Sequence, residues 1–231
     1  MKDRLSQVFA QYNIILNEKQ CEQFQKYYQF LIEENQKYNL TAITEEDEVI
    51  TKHFLDSVLP EKEILTGASV VDVGSGAGFP GIPLKILRPD LKIILVDSLQ
   101  KRVNFLNQVI NLLNLQEITA VHARAEDYAL KNREKFDYAV SRAVAQSNTL
   151  VEYLLPLVKI GGYALLYKSQ KVEEEIGVAE KAITVLGGKV EQTLSFEIAD
   201  MKRTIIVLKK VTNCPRQYPR GKNLPKTKPI I

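Results

Sequence analysis

The chain of 231 residues has little cysteine and no long apolar run, and each absence excludes a class of protein. Its two cysteines, Cys21 and Cys214, lie far apart and form no C-x-x-C pattern. This excludes a disulfide framework and a thiolate zinc site, so we expect no bound metal and a reducing, cytoplasmic compartment. The most apolar long stretch, 149–167, contains Glu152, Lys159 and two glycines, which is wrong for a membrane span.

The start of the chain places an acid beside its bases, with no apolar run behind them. A signal peptide is therefore not expected, and we expect a soluble protein with no membrane contact. Hydrophobic residues make up 45% of the chain and charged residues 26%, with no internal repeat. This composition predicts one globular domain with an extension and excludes a solenoid.

Residues 1–65 are predicted to form a helical extension packed on the core. Asn17 and Gln20 have the spacing of a capping box, and five apolar residues then share one helical face: Cys21, Phe24, Tyr28, Leu31 and Ile32. Thr44 and Asp47 repeat the capping signature before a short helix that holds His53 and Asp56.

From residue 66 to residue 210, short β-branched runs alternate with helical stretches, which predicts an α/β core. The predicted strands are 69–73, 92–96, 117–121, 136–140, 163–167, 189–196 and 204–209. Helices of ten or more residues between strands imply right-handed crossovers and a mostly parallel seven-stranded sheet with helices on both faces. The last two strands have no helix between them and should pair antiparallel. A ligand is expected beyond the carboxyl ends of the strands.

A glycine-rich loop, Gly-Ser-Gly-Ala-Gly-Phe-Pro-Gly, follows the first predicted strand and begins at Gly74. Gly74, Gly76 and Gly78 are expected to let a ligand approach the backbone. A dinucleotide fingerprint needs its third glycine at the position of Phe79, which disfavours the alternative of a nicotinamide-dependent oxidoreductase. The loop, with an acid at each of the first two strand ends, resembles the class I (Rossmann-like) S-adenosylmethionine-dependent methyltransferases.

S-adenosylmethionine is therefore the expected cofactor. Asp97 ends the second strand, where its carboxylate can accept hydrogen bonds from both ribose hydroxyls. An alternative role for Asp97 is the N-cap of the next helix, for which Ser98 is equally placed. The helix N-terminus after the glycine loop is expected to face the carboxylate of the cofactor.

Two further strand ends hold candidate site residues. Ala125 and Glu126 follow the third strand, where such folds contact adenine; a polar loop capping a helix is the alternative. Arg142 follows the fourth strand, in a place with neither an Asn/Asp-Pro-Pro-aromatic motif nor a cysteine nucleophile. The methyl transfer that remains is an attack by N7 of guanine on the methyl group of S-adenosylmethionine, for which the guanine needs only to be held in position. Arg142 could hold guanine O6, unless it is a solvated surface arginine.

Five segments together resemble one bacterial family, the ribosomal small subunit methyltransferase G family, also called glucose-inhibited division protein B. They are 38–42, 53–57, 71–84, 124–126 and 140–143. The resemblance implies N7 methylation of a guanine in the 530 loop of 16S ribosomal RNA, with that RNA or the small ribosomal subunit as partner. It also implies contacts to S-adenosylmethionine from Gly74, Phe79, Ala125, Glu126 and Arg142. A non-catalytic ribosome-assembly factor is the other alternative.

The resemblance assigns no role to four residues of the helical extension: Asn39, Thr41, His53 and Asp56. His53 and Asp56 share a helix face at i, i+3, so we expect them to pair and seal the extension onto the sheet; an RNA-facing role is the alternative. Lys168 ends the fifth strand and is a candidate RNA contact. Its role stays open, because Ser169 stands where family members often have glycine.

The net charge of +3, from 31 basic and 28 acidic residues, is distributed unevenly. Seven basic residues, no acid and four of the nine prolines lie in 209–231; 31 minus seven leaves 24 bases against 28 acids, or −4, in 1–208. The tail, 211–231, is predicted to be extended and free of helix. It is expected to bind RNA phosphates through Arg216, Arg220, Lys222 and Lys226, or else to be a solubilising end. We expect a monomer.

Overall fold

The computed structural model describes residues 1–142, 145–168, 172–199 and 201–231. Ala143 and Ser169, on which parts of the sequence analysis fall, lie outside these ranges. The α-helices of the described residues are α1 (Lys2–Ala10), α2 (Glu18–Tyr38), α3 (Glu46–Val49), α4 (Asp56–Val58), α5 (Gly81–Leu87), α6 (Gln100–Leu112), α7 (Ala125–Lys131), α8 (Ser147–Leu154), α9 (Val172–Val185) and α10 (Leu224–Thr227). A π-helix spans Ile50–Leu55, and short 3-10 helices span Glu61–Glu63 and Leu155–Leu157.

The strands of the described residues form one sheet of seven, in the order β3-β2-β1-β4-β5-β7-β6. They are β1 (Ser69–Val73), β2 (Lys92–Asp97), β3 (Ile118–His122), β4 (Phe136–Arg142), β5 (Val158–Lys168), β6 (Gly188–Ile198) and β7 (Met201–Lys210). All pairs are parallel except those of β7, which runs antiparallel to β5 and β6. The predicted α/β fold with a mostly parallel sheet is confirmed.

The sheet is covered on both faces, and its central strand has apolar side chains on each. Val70 of β1 belongs to a hydrophobic cluster that includes the N-terminal helices, α5 and α6. Its neighbour Val71 belongs to the cluster formed with α8, α9 and part of the tail. Because neighbouring residues of a strand point to opposite faces, a run of buried valines marks a central parallel strand. The strand order reverses between β1 and β4, which opens a crevice at their carboxyl ends.

The start of α2 confirms the predicted capping box. Asn17 Oδ1 accepts a hydrogen bond from the Gln20 N–H and Gln20 Oε1 accepts one from the Asn17 N–H, both at 2.9 Å. The helix ends at Asn39, which takes the left-handed conformation of a C-cap (φ 49°). The second capping signature was wrong: Thr44 lies one residue before Glu45, the N-cap of α3, and Glu45 makes no side-chain cap bond.

The N-terminal helices have no separate core, since Phe24 and Leu31 of α2 share one cluster with Ile82 and Leu95 of the sheet region. The division of the chain at residues 65 and 210 stays a prediction. None of the helices in the described ranges is long and apolar enough to cross a membrane.

The tail corrects the expectation of a helix-free, extended segment. Residues 224–227 form α10, with Pro225 at its first turn, where the missing N–H of proline costs no hydrogen bond. Cys214 is 4% exposed and Pro225 is buried. Tyr218 and Ile230 pack against the cluster around α8. The tail is therefore part of the packed structure.

Candidate active site

A cavity of about 500 Å³ lies beyond the carboxyl ends of β1, β2 and β4, at the switch point of the sheet. Most of the predicted cofactor residues line it: Gly74, Gly76, Phe79, Asp97, Ala125, Glu126 and Arg142. A volume of this size is typical of small-molecule sites. The structure thus brings together residues that are up to 68 positions apart, Gly74 and Arg142.

The glycine loop is tied to the neighbouring strand through its backbone. The N–H groups of Gly74 and Ser75 donate to the Val96 carbonyl at 2.8 and 3.1 Å. Gly76 has a φ of +59°, and a Cβ there would meet nothing closer than the Gly74 carbonyl oxygen, at 3.9 Å. The loop therefore has open space above Gly76, where a ligand can approach the backbone.

Gly78 has a different role from the predicted one, because it does not line the cavity. A Cβ built on Gly78 would lie 2.6 Å from Ile82 Cδ1 and 2.7 Å from Tyr27 Oη, and its φ is +100°. The Tyr27 hydroxyl donates to the Ala77 carbonyl beside it. Glycine is required here because α2 packs directly on the loop.

Asp97 holds the loop and the start of the next helix together. It is 3% exposed; Oδ2 accepts a hydrogen bond from the Gly76 N–H and Oδ1 accepts one from the Leu99 N–H, both at 2.9 Å. The N-cap of α6 is Leu99, so neither Asp97 nor Ser98 occupies that position. Two carboxylate oxygens offer about four lone-pair sites. Arg102 Nη1 lies 3.5 Å from Oδ2, longer than an ordinary hydrogen bond, so Asp97 keeps acceptor capacity toward the cavity.

Asp72 of β1 is fully buried below the loop. Its Oδ2 accepts a hydrogen bond from the Gly81 N–H at 3.0 Å. The N-terminus of α5 therefore meets Asp72, which corrects the expectation that it faces a ligand carboxylate. Burial raises the pKa of the Asp72 carboxyl to about 7. Its Oδ1 has no hydrogen-bond partner among the described residues.

Arg142 lines the cavity and is held by three acceptors. Its Nη1 donates to Asp56 Oδ2 at 2.8 Å and to the Lys52 carbonyl at 3.0 Å, and its Nη2 donates to His53 Nδ1 at 3.1 Å. The side chain is 13% exposed, so it is not a solvated surface arginine. A guanidinium has five N–H donors. Nε and the second Nη2 hydrogen have no acceptor in the part of the chain that the structure describes.

His53 is neutral and fixed in one tautomer. Its Nδ1 accepts from Arg142, which leaves the proton on Nε2, 2.8 Å from Thr41 Oγ1. Burial and the charge of Arg142 lower the pKa of His53 to about 3. Its ring stacks on Phe79 with centroids 4.4 Å apart. The predicted His53–Asp56 pair is corrected, because Arg142 lies between the two side chains.

A second cavity of about 320 Å³ shares His53 and Arg142 with the first. Cationic side chains, among them Lys52, Lys168 and Arg203, line it together with one carboxylate, Asp56. Arg203 Nε lies 3.2 Å from Asp56 Oδ1. Basic side chains therefore outnumber acidic ones in this lining, although Lys52 and Lys168 also pair with Glu48 and Glu175 beside it.

The predicted RNA-binding residues fall into two groups. Lys168 and Arg220 have internal partners: Lys168 Nζ lies 3.1 Å from Glu175 Oε2, and Arg220 Nη2 lies 2.7 Å from Glu152 Oε2. These pairs occupy the charges that were expected to meet phosphate. The exposed members are Arg216, Lys222 and Lys226.

The lining residues that the sequence-based cofactor site lacked include Thr149 and Tyr153 of α8, and Asn223 and Lys226 of the tail. The first two lie in an apolar helix whose pattern indicates only burial. The other two lie 81 and 84 positions after Arg142, and no local motif links them to it. No sequence signal could have placed them here.

The chain is similar to known proteins over most of its length. The model of the family described as rRNA small subunit methyltransferase G matches residues 20–206. The Ribosomal RNA small subunit methyltransferase G of Lachnoclostridium phytofermentans is 54% identical over 222 residues, which cover 94% of this chain and 92% of that protein. The protein of the same name from Lactobacillus acidophilus is 48% identical over 229 residues, covering 96% and 95%.

Solved structures support the fold. A SAM dependent methyltransferase from Aquifex aeolicus superposes with a TM-score of 0.52 at 18% identity, covering 71% of this chain and 93% of that one. At this identity the likeness concerns the fold alone, and it confirms the class I methyltransferase architecture. The alternative of an oxidoreductase gains no support from these matches.

Proposed function

The chain belongs to the rRNA small subunit methyltransferase G family, and on that premise we propose that it methylates N7 of a guanine in the 530 loop of 16S ribosomal RNA with S-adenosylmethionine. The observation that carries the proposal is the position of Arg142, which is held between the glycine-loop cavity and the basic second cavity. The choice of the 530 loop rests on the resemblance of the motifs.

The lining residues fit S-adenosylmethionine. The nearly buried Asp97 carboxylate has acceptor capacity left for the two ribose hydroxyls. Gly74 and Gly76 leave the backbone accessible, while Ala125 and Glu126 stand where adenine is expected. The ring of Phe79 lines the cavity, and His53 and Arg142 pack against it. When bound, S-adenosylmethionine supplies an electrophilic methyl group on a sulfonium.

The chain has to position the target base and need not activate it. N7 of guanine carries an available lone pair and no proton, so no general base or nucleophile is required. Both cysteines are buried, in α2 and in the tail, and neither lines the cavity. The free Nε–H and Nη2–H of Arg142 are suited to hold guanine O6, which keeps N7 in line with the methyl group.

Asp56, the partner of Arg142, also affects the electrostatic environment of the methylated guanine. Methylation at N7 leaves a positive charge on the guanine, which an unpaired cation nearby would oppose. The Asp56 carboxylate, 2.8 Å from Arg142, offsets the guanidinium charge at this point. Arg142 therefore acts as a fixed hydrogen-bond donor whose charge is partly balanced.

We also propose that the protein acts as a monomer in the cytoplasm, on 16S ribosomal RNA or the small ribosomal subunit. The two free cysteines are buried and unbridged, which suits a reducing compartment. The exposed cations of the tail, Arg216, Lys222 and Lys226, suit a polyanionic partner.

Incubation with labelled S-adenosylmethionine and small-subunit RNA, followed by nucleoside chromatography, tests the reaction. We expect 7-methylguanosine, at a position that mapping of the modified RNA assigns to the 530 loop. Its absence while the protein binds cofactor would contradict the proposal. A Gly74→Asp variant, with a side chain in the cofactor cavity, should lose the activity. Full rescue of ribosome assembly by that variant would instead favour a non-catalytic assembly factor.

A further inference from the structure

The basic tail, 211–231, follows a defined path on the side of the sheet that α8 and α9 cover. Its first attachment is to the loop after α7. The Arg133 guanidinium donates to the carbonyls of Cys214, at 2.6 Å, and Tyr218, and Glu134 Oε1 accepts from the Cys214 N–H at 2.9 Å. The path is therefore fixed by side-chain to backbone hydrogen bonds before the tail reaches the active site.

The second attachment is an ion pair with a buried acid of α8. Glu152 is 0% exposed, and its two oxygens accept three hydrogen bonds from Arg220: from the backbone N–H at 2.8 Å, from Nε at 2.9 Å and from Nη2 at 2.7 Å. A buried carboxylate that loses its partner is strongly unfavourable. Glu152 therefore requires the tail in this position.

The third attachment brings the tail to the cofactor cavity. Thr149 Oγ1 donates to the Pro225 carbonyl at 3.0 Å, and Thr149 itself lines the cavity beside Asn223 and Lys226. Asn223 takes a left-handed conformation (φ 60°), and its carbonyl accepts from the Thr227 hydroxyl at 3.1 Å. Its carboxamide has no hydrogen-bond partner within the described ranges, so both a donor and an acceptor remain for a ligand.

The side of the cavity that the tail reaches can be identified from α8. Tyr153 lies one residue after Glu152 and lines the cavity together with Glu126. Burial, and then the charges of Glu126 and Glu152, raise the pKa of Tyr153 to about 12. Glu126 is the residue proposed to meet adenine, so the tail approaches the nucleoside end of the cofactor.

Resting on the proposed function, we propose that residues 220–226 form the outer wall of the S-adenosylmethionine site. In this wall Asn223 contacts the nucleoside, and Arg220 is a positioning residue that acts through its pair with Glu152. Arg220 and Asn223 thereby serve cofactor binding, and the tail is not only an arm for RNA.

Calorimetric titration of the full chain with S-adenosylhomocysteine, and separately with adenosine, tests the wall. We expect Asn223→Gly, which removes the carboxamide and tolerates the left-handed φ of 60°, to raise the Kd of both ligands by the same factor, about 3- to 10-fold, as for a lost hydrogen bond. Lys228→Ala changes an exposed lysine of the same tail outside the cavity lining and should bind both ligands like the unaltered protein.

A second pair of variants tests the positioning role of Arg220. Arg220→Ala should raise the KM for S-adenosylmethionine, with kcat at saturating cofactor little changed, and Arg220→Lys should restore part of the affinity. A merely structural role would lower the amount of folded protein without changing the KM of the folded fraction.

The outcomes separate the two proposals. Unchanged Kd values for both ligands in Asn223→Gly, with an unchanged KM in Arg220→Lys and Arg220→Ala, would overturn the wall while leaving the methyltransferase proposal intact. Failure of the unaltered protein to bind S-adenosylhomocysteine would instead overturn the proposed function itself.

Discussion

The Nη1 atom of Arg142 lies 2.8 Å from Oδ2 of Asp56, so the end of β4 is joined to the N-terminal helices. The other oxygen of Asp56 lies 3.2 Å from Nε of Arg203 on β7. One carboxylate, 5% exposed, thereby connects three parts of the chain. The orientation of Arg142 toward the cavity depends on this arrangement.

Replacing Arg142 by lysine should lower kcat for RNA methylation by about 100-fold, because a lysine cannot keep three acceptors and still present a planar donor pair. Binding of nonspecific RNA should change by less than about 3-fold, since one phosphate contact contributes little. Single-turnover kinetics and filter binding measure the two quantities. Arg4→Lys, on the exposed α1 surface, is the matched control. Equal losses of kcat and RNA affinity would mean that Arg142 only contacts phosphate.

Asp97→Asn should weaken S-adenosylmethionine binding by about 10- to 100-fold, the range for hydrogen bonds to a charged group. The amide oxygen can still accept from the Gly76 N–H and hold the loop, while the amide NH2 loses the hydrogen bond from the Leu99 N–H at the start of α6. Isothermal titration calorimetry gives the Kd. Asp127→Asn, an exposed change in the first turn of α7, should bind like the unaltered chain. An affinity within a factor of two in Asp97→Asn would exclude a ribose contact.

His53 should make the protein less stable in acid. Its pKa is lowered from the ordinary value of 6.5 to about 3 in the folded state, mainly because of burial, so the unfolded chain binds a proton first as pH falls. The contribution of neutral His53 is full above pH 6.5 and is lost between pH 6.5 and 3. It amounts to at most about 2 kcal/mol between about pH 6.5 and 5. Urea unfolding from about pH 5 to 8 measures the slope.

His53→Gln should show a shallower decline of the free energy of unfolding across the same range. His122→Gln changes the other histidine of the chain, which is exposed, and should keep the slope of the unaltered protein. Parallel curves for all three proteins would mean that His53 has the same pKa in the folded and unfolded states.

Asp72 should change the stability with pH in the opposite direction to His53. Burial raises its pKa from 3.8 to about 7, so between these values the folded state keeps a proton that the unfolded state has lost. Its contribution to stability therefore decreases as pH rises from about 4 to 7. Asp72→Asn lacks this decrease, and its Tm relative to the unaltered protein should be higher at about pH 8 than at about pH 5. A difference in Tm that is constant with pH would show that Asp72 is ionised throughout.

The exposed cations of the tail should contribute to RNA binding through phosphate contacts. Arg216→Ala and Lys222→Ala should each reduce the slope of log K against log salt by about 0.7 to 0.9. Fluorescence anisotropy with a fragment of small-subunit RNA at several salt concentrations measures the slope. Lys62→Ala, an exposed change that precedes β1, is the control. Unchanged slopes in both tail variants would assign RNA binding to other surfaces.

Local patterns were sufficient to predict the strands and the candidate site residues that follow their carboxyl ends. The strand predicted over 69–73 is β1, because a β-branched run followed by glycine has few other solutions. The capping box of Asn17 and Gln20 is equally local. The prediction failed for Thr44 and Asp47, whose spacing is the same but whose backbone continues one residue further before α3 starts.

The roles of individual site residues were less predictable. Gly78 looks like a ligand-facing glycine in the sequence, yet its missing Cβ makes room for Tyr27 and Ile82. His53 and Asp56 have the spacing of a helix pair, but the guanidinium of Arg142 separates them. In each case the deciding atom comes from an element far away in the chain.

By itself, the sequence determined the α/β class, the glycine loop after β1 and the acid at the end of β2, because these depend on residues that are neighbours in the chain. Only the tertiary structure decided which charged side chains form internal ion pairs and which remain available to bind a ligand or RNA. Arg142 meets Asp56 across 86 positions and Arg220 meets Glu152 across 68. Such pairs form where packing removes water from both charges, and no local pattern encodes which partners that packing brings together.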